Sequence, residues 1–95
     1  MVVSTLPVWI EDGDGTIVRG VAESVTRGGL LVRLTAVPAF GEGAGVALRL
    51  SLDPESPTVS ATARVSWVKS NGQTQCGLEW TALESSLEDW LAARN

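Results

Sequence analysis

From Val59 to Trp67 every second residue is apolar: Val59, Ala61, Ala63, Val65 and Trp67 alternate with Ser60, Thr62, Arg64 and Ser66. Successive side chains of an extended chain point to opposite faces, so this run buries one face and wets the other only as a β-strand. The same period returns elsewhere. Val46, Leu48, Leu50 and Leu52 alternate with Ala47, Arg49 and Ser51, and Cys76, Leu78 and Trp80 share a face over residues 75–80. Residues 16–22 offer Ile17, Arg19 and Val21 on one side and Val18, Gly20 and Ala22 on the other. Val2 to Ile10, with an early Pro7, reads as a first strand. Leu30 to Thr35 is apolar at Leu30, Leu31, Val32 and Leu34, which predicts a central strand covered on both faces.

The segments between these runs are turns. Glu11-Asp12-Gly13-Asp14-Gly15 resembles a calcium loop in composition, but an EF-hand needs ligands at alternate positions, a closing bidentate glutamate and flanking helices. Here strands flank a short Asp-Gly cluster, so a hairpin turn is expected. Asp53-Pro54-Glu55-Ser56-Pro57 breaks the chain, and Ser70-Asn71-Gly72-Gln73 closes a second hairpin. After residue 82 the period changes: Leu83, Leu87, Trp90 and Leu91 stand at helical spacing, and Ser85-Ser86-Leu87-Glu88 has the form of a capping box, starting a helix at about Ser86. So short a helix is marginal alone. Its apolar face docks either on its own sheet, as a lid, or on another chain.

Ninety-five residues suit one domain, taken as 1–95 with strands over about 2–81 and the helix over about 85–94. No apolar run reaches the ~18 residues of a membrane span, and the first residues lack the basic and long apolar regions of a secretory signal, so a cytoplasmic protein is expected. There is no histidine and one cysteine, Cys76, which excludes an internal disulfide, a Cys/His metal set and a histidine-based triad. Cys76 on an inner face is a small hydrophobe rather than a nucleophile. Neither paired carboxylates nor a phosphate-cradling loop before a helix is present; Gly41-Glu42-Gly43-Ala44-Gly45 precedes a strand. No enzyme activity, metal or cofactor is expected. A formal charge of −4 with six scattered arginines and one lysine argues against a nucleic-acid polymer as partner, because counterion release needs a dense basic surface.

One stretch concentrates short polar residues, a guanidinium and a permissive backbone: Ser24-Val25-Thr26-Arg27-Gly28-Gly29-Leu30. Two adjacent glycines permit positive φ and close approach by another backbone or a flat ligand. Among the tryptophans, Trp67 and Trp80 are expected in the core and near one another; the face of Trp9 is not fixed by its neighbours, which leaves it as a partner contact. Leu87, Trp90 and Leu91 are the corresponding candidates on the helix, with a second copy of the chain or another protein as the partner.

Six strands and a closing helix give an all-β fold, a small six-stranded barrel with a short C-terminal α-helix. In order and spacing, residues 16–92 resemble a PilZ domain: strand, Ser-Val-Thr-Arg-Gly-Gly-Leu, strand, Gly-rich loop, strand, the long strand ending Arg64-Val65-Ser66-Trp67-Val68, the strand Cys76-Gly77-Leu78-Glu79-Trp80, and the helix. The resemblance implies the bacterial messenger cyclic di-GMP as ligand, held by an Arg-x-x-x-Arg arm and an Asp/Asn-x-Ser-x-x-Gly turn. The turn falls on Ser24, Thr26 and Gly29, with only the glycine kept. The arm has no counterpart: residues 1–15 contain no arginine or lysine, and the chain begins about where the arm would end. The ligand candidates are therefore Ser24, Thr26, Arg27, Gly28, Gly29 and Arg19. Two functions follow from the resemblance. The first is a regulatory adaptor in bacterial motility or surface behaviour that binds cyclic di-GMP weakly or not at all and acts through protein contacts; the second is a cyclic di-GMP receptor with a non-standard arginine set, Arg19 and Arg27.

Overall fold

The alternating segments pair edge to edge until no edge is left. The computed structural model describes residues 2–53, 55 and 57–94. It contains β1 (Val2–Glu11), β2 (Ile17–Val25), β3 (Gly29–Leu34), β4 (Gly45–Leu50), β5 (Val59–Asn71), β6 (Gln73–Leu83) and α1 (Ser85–Arg94). The strands form a closed barrel in the order β1-β2-β3-β6-β5-β4, and each neighbouring pair, including β4 with β1, is antiparallel. Closure removes the unpaired backbone groups that an open sheet would present to other chains.

Inward residues follow the period of two. Val8 and Ile10 of β1, Val18 and Ala22 of β2, Val46, Leu48 and Leu50 of β4, and Val59, Ala61, Ala63 and Val65 of β5 are all buried. The expected faces of residues 16–22 are present, with Val18, Gly20 and Ala22 inside and Ile17 and Arg19 outside. Gly20 is required there, because a Cβ would stand 2.7 Å from the Arg33 carbonyl and 2.8 Å from a Val32 methyl. Helix α1 adds Leu87 and Leu91 to the same core, so its apolar face is used inside the molecule, the lid arrangement. In place of a Ser85–Glu88 capping box, the described contacts of its first turn run from the Leu87 and Glu88 amides to the Glu84 carbonyl, at 3.0 and 3.1 Å. The Glu84 carboxylate turns back to accept the Ser60 amide at 2.9 Å.

The acidic cluster is a hairpin turn. Asp12 accepts hydrogen bonds from the Asp14 and Thr16 amides at 3.0 and 3.2 Å, and Gly15 takes φ 89°. Hydrogen bonding with Asp12, then with the hydroxyl and amide of Thr16, lowers the Asp14 carboxyl to about 2.

Two expectations fail, one because the sheet closes on itself and one because the register shifts. A closed barrel has no central strand: Leu31 of β3 points outward and is half-buried, while Arg33 on the same side is exposed. In β5 the pairing with β6 shifts between Val65 and Trp67, so the alternation that carries Val65 inward turns Trp67 outward. Trp67 is consequently not a core residue, whereas Trp80 packs half-buried against the core.

Cys76 is fully buried, and burial pushes its thiol up to about 11. At pH 8 the sulfur is a neutral thiol without solvent contact, so in the native protein it should resist a chromogenic disulfide reagent and react fully once the chain is unfolded. Modification of the folded protein at the rate of an exposed thiol would contradict this placement.

Candidate functional site

β2 is longer than its alternation suggested, so Ser24 and Val25 are strand residues and the turn proper is Thr26-Arg27-Gly28. Thr26 organises it. Its hydroxyl accepts the Gly28 and Gly29 amides and donates to the Gly29 carbonyl, each at 3.2 Å, while its amide donates to the same carbonyl at 2.8 Å. One donor and two lone pairs are all a hydroxyl has, so Thr26 is spent on the bend itself and is not a ligand donor. Trp80 ties the bend to β6: its indole N–H donates to the Thr26 carbonyl at 2.9 Å and its amide to the Gly28 carbonyl at 3.1 Å.

The twin glycines serve a different purpose from the one expected. The glycines with positive φ are Gly15, Gly43 and Gly72, so neither Gly28 nor Gly29 uses that freedom. Gly29 pairs with Glu79 so closely that a Cβ would collide with the backbone carbonyl of Leu78. A Cβ at Gly28 would meet nothing nearer than the Thr26 hydroxyl at 3.9 Å. One glycine is obligatory for strand packing, and the other leaves open space.

Beside the bend lies a shallow outer-face cavity of about 410 Å³ that Ser24, Thr26, Gly28 and Gly29 line together with Leu31, Ser66, Trp67 and Glu79. A row of cross-strand pairs crosses its floor: Ser24 with Leu31, Leu31 with Gly77, and Gly77 with Trp67. Because Gly77 has no side chain, the Trp67 indole lies down over its Cα, where any Cβ would strike the ring. Lys69 approaches that ring at 5.2 Å from its centroid.

This fold agrees with comparison to known proteins. A profile of the PilZ domain matches residues 2–93. The chain belongs to the PilZ domain family. The match takes in β1 as well as residues 16–92. Among solved structures, the Bacillus subtilis inhibitor of motility (MotI/DgrA) superposes with a TM-score of 0.78 at 20% identity, over 95% of this chain and 44% of that one. At that identity the likeness is one of fold, and this chain spans less than half of that protein. No curated protein matches the sequence.

In this PilZ domain the expected ligand residues are brought together only in part. Ser24, Thr26, Gly28 and Gly29 share the cavity, while Arg27 is exposed on the turn and is not among its lining residues. Arg19 is absent from it altogether. It pairs with Trp9, five residues along β2 from Ser24, a separation of roughly 16 Å. No arginine or lysine lines the cavity among the described residues. Arg64, on the adjoining pair, is held by Glu79 at 3.3 Å, and Glu23 accepts a hydrogen bond from Gln75 at 3.0 Å. Of the partner-contact candidates, Leu87 and Leu91 are enclosed by the barrel, Trp90 is half-buried against the core, and Trp9 is half-buried on the outer face.

Trp67, Leu31 and Gly77 are the site residues that alternation concealed. Gly77 carried a usable signal, since a glycine inside a strand marks close approach by another group.

Proposed function

We propose that this PilZ domain is a cytoplasmic regulatory adaptor in bacterial motility or surface behaviour, acting through protein contacts, with weak or no affinity for cyclic di-GMP. The cavity beside the bend carries the proposal: among the described residues its lining includes Glu79 and no cation. A dianionic ring needs guanidinium groups, each charge-assisted contact contributing about 1.5–3 kcal/mol, so a cavity that offers none in place of two binds it roughly 10²–10⁴ more weakly. What the cavity offers instead, an indole, Leu31 and hydroxyls, suits an apolar side chain of a protein partner. Motility is supported by the fold shared with an inhibitor of motility.

The Trp67 indole favours a second function, since a purine can stack on such a ring. In that case Arg27 would supply the charge. Calorimetric titration with cyclic di-GMP separates the two. The adaptor gives no saturable heat at tens of micromolar ligand, and Arg27→Ala changes nothing. Saturation that Arg27→Ala abolishes establishes the receptor instead.

A further inference from the structure

A second outer-face concavity, of about 500 Å³, lies where β1 and β4 meet the ends of β2, β5 and β6. Its walls are the half-buried Trp9 and Leu83 and the exposed Ile17, 60% accessible at the first pair of the β1–β2 ladder. Its floor is made of small residues, Ala47, Thr62 and Ala82, which pair across β4, β5 and β6. Bulky residues thus stand directly beside a hollow. Ladder positions fix the charges: Trp9 pairs with Arg19 on one side and Arg49 on the other, and Glu11 pairs with Ile17 and Ala47. Among the described residues Arg19, Arg49 and Glu11 form no ion pair.

We propose that this face is an isologous interface between two copies of the chain, with Ile17 and Trp9 of each copy seated on the small-residue floor of the other and Glu11 facing the other copy's Arg49. A twofold axis brings a patch against itself, so the patch must present both knob and hole and both signs of charge. This one does. Arg49 stands with Glu11 and Glu84 in its lining and Arg19 flanks Trp9 on the neighbouring strand, so both signs are present on a chain whose net charge is −4. A partner of strong single sign would select an unbalanced patch. A small ligand would be oriented by desolvated polar groups, and the barrel buries no polar side chain among the described residues. The closed sheet leaves no edge for strand addition, so association must proceed by side-chain packing. A half-buried Trp beside exposed Arg presents the residue types that dominate such contacts. This interface is on a different face from the bend and stands or falls independently of the proposed function.

Sedimentation velocity over rising concentration tests it. Wild-type protein should pass from monomer to dimer. Arg49→Glu and Glu11→Arg should each weaken the dimer roughly tenfold or more, because the twofold axis doubles every like-charge contact. Ile17→Ala should weaken it as well, and the double variant R49E/E11R should regain the dimer. All these positions are exposed, and recovery in the double variant cannot arise from misfolding. A monomer at every concentration up to about 1 mM overturns the proposal. So does a dimer indifferent to the single variants, or one that the double variant fails to restore.

Discussion

Gly29→Ala should lower the stability of this domain by about 3 kcal/mol or more, while Gly28→Ala, one residue earlier, should stay within about 0.5 kcal/mol of wild type. The two glycines look alike in the sequence and differ in what surrounds them. A methyl at position 29 has nowhere to go, because the atom in its path is the Leu78 carbonyl, part of the backbone of the neighbouring strand. Relief requires β3 and β6 to separate at Gly29–Glu79 and disturbs the Trp80 hydrogen bonds that anchor the bend. At position 28 the nearest atom is 3.9 Å away, the residue is exposed and its φ is not positive, so alanine is accommodated. In a domain of this size the Gly29 change corresponds to a fall in Tm of roughly 10–25 °C. Thermal and denaturant unfolding of the two variants side by side check the contrast, and equal effects would refute the packing role given to Gly29.

Leu87→Ala should cost about 2–5 kcal/mol, the range for emptying a leucine site in a closed core. Leu87 is fully buried and Leu91 nearly so, and both come from a helix of ten residues that is marginal on its own. The helix is therefore held by these two side chains more than by its own hydrogen bonds, and shortening one weakens the core and the helix together. Against net stabilities of about 5–15 kcal/mol this is a large share. Urea unfolding followed by helical and tryptophan signals measures it. A change below about 0.5 kcal/mol would mean that the helix face is not in the barrel and serves another chain.

Much of the barrel was legible because a period of two fixes faces wherever strands pair residue for residue. Val46, Leu48 and Leu50, Ala61, Ala63 and Val65, and Cys76 and Leu78 all lie inside as their spacing requires. Legibility ends at the bulges. One unpaired residue between Ala22 and Ser24 and another between Val65 and Trp67 reverse the frame, and sequence alone does not mark either. The largest consequence is Trp67, which alternation placed in the core and the bulge places on the outer face over Gly77. Leu31 was misjudged for a related reason, since a strand apolar on both sides suggests two covering layers, yet here the outer side forms the floor of a cavity. The helix stripe of Leu87 and Leu91 was plain, but its destination depends on the barrel it meets. The Ser24–Gly29 stretch was recognisable as a special site; that Gly29 serves strand packing and Thr26 serves the bend required coordinates.

A bend kept rigid by Thr26, Gly29 and Trp80, beside a cavity that no arginine or lysine lines among the described residues, is the centre of this account. Its most direct test is an amide-resolved NMR titration with cyclic di-GMP, following the Gly28, Gly29 and Leu31 amides and the Trp67 indole. The account predicts no saturating shift at any of them up to tens of micromolar ligand. Saturating shifts at Gly28, Gly29 and Trp67 together would contradict it.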